Sequence, residues 1–168
     1  MNPDHLLDQA ERLLAPARPG FRRQADLKRA ISTAYYALFH SVLRAVADEF
    51  VGAKQRRSAR YALVYRSVDH RTLRELAAEA RKQQASNRYA PYVPEGGFEP
   101  GLVAFSKAVK DLRDKRHAAD YDPLARFTAA DAGKAIDTAR DAIRQFGEAS
   151  EEQRKVYLSL LLCPPRQV

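Results

Sequence analysis

Residues 24–51, QADLKRAISTAYYALFHSVLRAVADEFV, form a run unbroken by proline or glycine in which apolar residues recur every three or four positions. That period is helical, so the stretch predicts one long central helix ending at Gly52, a natural left-handed C-cap. Leu27, Ile31, Ala34, Leu38, Val42, Ala45 and Val46 fall on one side of it. Arg29, Thr33, Tyr36 and His40 fall on the other. A helix with two coherent faces must satisfy two neighbours. The first face predicts a core, and the second, polar but rich in ring atoms, predicts a surface, an interface or part of a site.

The flanking chain reads as further helices. Asn2 as N-cap, Pro3 in the first turn and Asp4 beside the dipole open a helix with Leu6, Leu7, Ala10, Leu13 and Leu14 as its buried stripe. The segment APARPG, residues 15–20, ends it. Residues 53–60, AKQRRSAR, are basic and lack large apolar groups, which suits either a solvated connection or a nucleic-acid contact. YALVYRSV and TLRELAAEARKQQ predict a short and a longer helix, with His70 in a turn between them. Three prolines and two glycines make 85–100 a long irregular loop whose Tyr89, Tyr92 and Phe98 either cover the core or stack on bases.

Helical spacing returns from Gly101 to about His117, with Leu102, Phe105, Val109 and Leu112 as a narrow seam and Arg116 as its next position. An arginine on an apolar line must be paired or led to water. ADYDP then breaks the helix. Thr128 and Asp131 form a capping box for a helix whose inner stripe is Ala132, Ala135, Ile136, Ala139, Ile143 and Phe146, closed by Gly147. Ser150 with Gln153 predicts a second capping box, opening a last helix that Pro164 ends. With no alternating strand pattern and no repeat, the expectation is all-α: one domain over 1–168, an up-and-down bundle of four to five main helices.

The net charge of +8 is concentrated in the first half, where residues 21–60 carry nine Lys/Arg against three Asp/Glu. Such a surplus suits a polyanion, RNA or DNA before a membrane, and also serves solubility. The single cysteine, Cys163, forms no intrachain disulfide, the N-terminal segment carries acids where a signal peptide is basic, and no apolar run is long enough to span a bilayer. These features set the expectation of a cytoplasmic protein with no membrane partner. Phosphate-cradling glycine motifs, HExxH, paired cysteines and GxSxG are absent, and His5, His40, His70 and His117 are dispersed, so no metal and no cofactor are expected. No helix-turn-helix spacing supports a DNA-binding reading.

The one dense polar constellation is LRDKRHAADYDP, residues 112–123. Arg113 and Arg116 offer planar donors for phosphate, His117 can exchange a proton near neutral pH, and Asp120 and Tyr121 can orient either. Those are the parts of a metal-independent ribonuclease. The same residues also serve structure alone: Arg116 pairing with Asp120 four positions on, His117 at the helix C-terminus, Tyr121 over the core. On the central helix Tyr36 and His40, one turn apart, either meet the Arg116 region or simply pack between helices.

The two stretches together, AYYALFH at 34–40 and Arg116, Ala119, Asp120, Tyr121 in R-x-x-A-D-Y, resemble the HEPN superfamily across residues 24–146, leaving 147–168 as a C-terminal capping helix. The resemblance implies a helical bundle that forms a homodimer and binds RNA or a nucleotide. In catalytic branches an arginine and a histidine act as a metal-independent endoribonuclease of toxin–antitoxin or defence type, which points to Arg113, Arg116 and His117, with Asp120, Tyr121, Tyr36, His40 and Arg29 in support. Here Arg113 precedes His117 by four positions and Arg116 adjoins it, a spacing shorter than that of the catalytic branches. Other relatives are non-catalytic interaction modules that partner a nucleotidyltransferase.

Overall fold

The computed structural model describes residues 1–15 and 23–166; the expected break after the first helix lies largely outside them. Among these residues all regular structure is helical: α1 Pro3–Leu14, α2 Gln24–Phe50, α3 Ala59–Tyr65, α4 His70–Glu79, α5 Pro100–Tyr121, α6 Ala129–Glu148 and α7 Glu151–Leu162, with a 3-10 turn at Ala53–Gln55. None is long and apolar enough to cross a membrane.

Helix α2 is the axle. It packs against α1, α3, α5, α6 and α7, while α5 and α6 close on each other and α4 lies against α5 and α7. Because neighbours surround it, every residue from Ala30 to Tyr35 is buried, including Ser32 and Thr33. The expected two-faced pattern therefore holds only in part: Thr33 is buried, Arg29 is exposed, and Tyr36 and His40 are half-buried. The helix ends where expected, with Gly52 at φ +102 and its amide bonded to the Ala47 carbonyl. A side chain there would be strained, which is why glycine serves the position.

The α5 seam is a true core line. Leu102, Phe105, Val109 and Leu112 are each no more than 1% exposed. Phe105 lies 4.7 Å from the Phe146 ring and meets Tyr157 edge-on at 5.9 Å, fastening α5 to α6 and α7. The Tyr157 hydroxyl finds a partner in Ser106 at 3.1 Å, so the ring can be buried without an orphaned polar group.

Several boundaries differ from expectation, among them the end of α4, which stops at Glu79, five residues short of the predicted TLRELAAEARKQQ helix. Helix α5 continues one further turn to Tyr121, because ADYDP stops it only at Asp122, and Arg116 and Asp120 thus share a helix. His70 stands in the first turn of α4 rather than in a turn between helices, since Asp69 caps the helix by accepting from the Thr72 amide at 2.7 Å. Gly147 lies inside α6, which runs to Glu148. The Ser150–Gln153 box does not form: the Ser150 amide donates to Glu99 Oε1 at 2.7 Å, and Gln153 Oε1 accepts from the Glu99 amide at 2.7 Å. The Thr128–Asp131 box does form. In the 85–100 loop Tyr89 and Phe98 are buried as core cover, and Tyr92 is exposed. Residues 53–57 are exposed, with Arg56 bonded to Asp48.

Candidate functional site

Tyr36 and Arg116, from the two motifs, meet directly. Arg116 Nη2 donates to the Tyr36 hydroxyl at 2.8 Å. Its Nε lies 2.8 Å from Asp120 Oδ2, yet that buried N–H has no aligned acceptor, so the contact is coulombic rather than a hydrogen bond. Asp120 Oδ1 in turn accepts from the hydroxyl of buried Ser32. Three rings surround the guanidinium: Tyr36 and Tyr121 at 5.4 Å and Tyr35 at 5.9 Å. This is how the seam tolerates an arginine: its charge is matched by a carboxylate one turn away and by three π faces. Burial works against that charge, and the Tyr36 bond with Asp120 and Tyr121 outweighs it, holding the group firmly protonated.

Beside Arg116 lies a second set of contacts. The Tyr35 hydroxyl is 2.8 Å from His70 Nδ1, and the Tyr65 hydroxyl is 2.8 Å from His40 Nδ1. His70 is an exposed residue, but its ring stacks on Phe39 at 3.8 Å. Burial, then the nearby Arg116 charge, lowers the His70 pKa against the opposing pull of Asp69; burial is also the main cause lowering that of His40. Tyr35 is pushed up to about 12, mainly by burial, so its hydroxyl keeps its proton.

The other expected residues go elsewhere within one chain. Arg113 lines a shallow groove of about 260 Å³ with Arg74, Arg81 and Lys110, and its Nη1 bonds Asp114 at 3.2 Å. His117 is exposed and leans on the Tyr121 ring, 5.1 Å between centroids. Arg29 is exposed, with no ion pair among the described residues. Arg113, Arg116 and His117 therefore make three different sets of contacts, although only the adjacent Arg116 and His117 are turned about 100° from each other on the helix. No family model, curated protein or solved structure matches this chain.

Reasoning from sequence missed Ser32, Tyr35, Tyr65 and His70. Tyr35 stands inside AYYALFH and was available as a signal; nothing local links Tyr65 or His70 to that helix. Among the described residues no three His, Cys, Asp or Glu side chains gather as a metal site.

Proposed function

We propose that this chain is a HEPN-like helical protein that binds RNA or a nucleotide as a homodimer, using the face where Tyr36 and Tyr121 lie against Arg116 and where His40, His70 and Tyr65 extend the ring cluster from Tyr36. The observation that carries the reading is the meeting of accessible aromatic and imidazole rings with a guanidinium at the junction of α2, α3, α4 and α5. Rings of this kind stack on unpaired bases, and stacking tolerates any base. Because Asp120 offsets Arg116, attraction for the phosphate backbone comes from cations around the patch. Arg29 is one, two turns before Tyr36 on the same stripe.

Anisotropy of a labelled single-stranded RNA, with EDTA present, tests this. Binding is expected at about 50 mM salt, weakening about tenfold by about 200 mM as counterion release is opposed. No binding at the lower salt would overturn it.

A second reading is favoured by one observation: Arg116, Asp120 and Ser32 satisfy one another within the chain, and His117 stands apart from Arg113. In that reading the motif pair is structural and the chain is a non-catalytic interaction module, as for a nucleotidyltransferase partner. A dimer that binds no RNA at low salt is its expected signature.

A further inference from the structure

The groove between α4 and α5 shares no lining residue with the Tyr36 ring cluster. Its floor is small and apolar: Ala77 and Val109 are each 1% exposed, and Ala78 brings only a methyl group to the surface. Its walls are basic. Arg74 and Arg81 stand on one side and Lys110 and Arg113 on the other, against the single carboxylate of Glu75. Arg81 follows Arg74 by seven positions, two helical turns, so both lie on one side of α4 about 10 Å apart along its axis.

The protein leaves much of this charge unused. Glu75 bonds Arg71 at 2.8 Å, which is not part of the lining, and stands 3.8 Å from Arg74, too far for a hydrogen bond. Arg81 uses only its Nε, on the Ala77 carbonyl at 2.9 Å, which lays the guanidinium along the end of α4. Among the described residues its two Nη atoms have no protein partner. On the α5 side Asp114 bonds Lys110 at 3.1 Å and Arg113 Nη1 at 3.2 Å, and Asp111 lies 4.0 Å from Lys110. Arg113 Nη2 stays unbonded. By contrast Arg56, Arg140 and Arg144 each bond a carboxylate. Like charges gathered around one hollow repel, and an entering anion relieves that.

We propose that the α4/α5 groove is a binding site for a small anion of linked phosphates, of the diphosphate or triphosphate class, separate from the RNA face. The inference goes beyond the RNA-binding reading and does not depend on it. Three features define the ligand. Cations two turns apart require charge along the ligand's length, which a lone phosphate or carboxylate lacks. Guanidinium groups present paired planar donors that match phosphate oxygens. A volume of about 260 Å³ over alanine and valine admits a charge-dense small molecule and excludes a folded partner. Arg81 and Arg113, with free nitrogens on opposite walls, grip it from both sides.

Calorimetric titration of the full chain with inorganic triphosphate, in divalent-free buffer at about 50 mM salt, tests this. One site per chain is expected, with orthophosphate bound at least about tenfold more weakly. R81Q and R113Q each weaken triphosphate binding about tenfold. A78L fills the groove without removing charge and weakens it as much, whereas R144Q, on α6, changes it less than about twofold. No triphosphate binding overturns the inference. So does equal affinity for orthophosphate, an A78L variant that binds as the parent does, or an R144Q loss as large as that of R81Q. Labelled single-stranded RNA supplies the last arm: at constant ionic strength its affinity is expected to change less than about threefold with saturating triphosphate and in A78L. RNA displaced by triphosphate and weakened in A78L would make the groove part of the RNA path, overturning a separate site and leaving the RNA-binding reading intact. Triphosphate binding without any RNA binding overturns that reading alone.

Discussion

Asp120 serves two helices at once, accepting from Ser32 on α2 and facing Arg116 on its own helix. Side chains in this pair are 19% and 26% exposed, so neither charge is fully solvated. Breaking a buried pair by removing one partner costs several kcal/mol, and partial exposure reduces that. Asp120→Asn, which keeps an acceptor for Ser32 but removes the charge, is expected to cost about 1–3 kcal/mol in urea denaturation. A variant as stable as the parent would mean that the guanidinium is held by Tyr36 and the rings alone.

At the level of elements, the caps are exchanged between helices rather than made within them. Glu99 precedes α5, yet its carboxylate receives the Ser150 amide at the start of α7, while Gln153 of α7 receives the Glu99 amide. Each helix start is thus completed by the other, and the carboxylate also sits favourably at the positive end of α7. Glu99→Ala is expected to lower stability by about 1 kcal/mol and to speed amide hydrogen exchange at Ser150. Unchanged exchange at Ser150 would show that water replaces the carboxylate without loss. The sequence spacing Ser150–Gln153 suggested a local box because both residue types fit one; the competing acceptor lies 51 positions away and leaves no local trace.

Across the whole molecule, the helices and the stripes of α5 and α6 were legible, since 3.6-residue periodicity is a local property of the chain. The Thr128–Asp131 cap and the Gly52 stop were legible for the same reason. Burial of Thr33 was not, because it depends on how many helices surround α2; nor were the Tyr35–His70 and Tyr65–His40 contacts, which join different helices. Those histidines also set how the fold responds to acid. With both pKa values lowered, the unfolded chain binds protons below about pH 6.5 that the native chain does not, so stability is full above that value and is lost as pH falls below it. Asp48, Asp69 and Glu79, also lowered, act only further down, in the carboxylate range. Denaturation midpoints between about pH 7 and 5 are expected to fall, and to fall less in H40Q and H70Q. A flat profile in the parent would contradict the lowered values.

The bond from Arg116 to Tyr36 spans 80 residues of chain, and that from Ser32 to Asp120 spans 88. During synthesis α2 therefore emerges long before anything can occupy its polar positions, and its buried hydroxyl waits for α5. A nascent or truncated chain ending short of residue 116 therefore leaves Ser32 and Tyr36 without the partners that α5 brings to them.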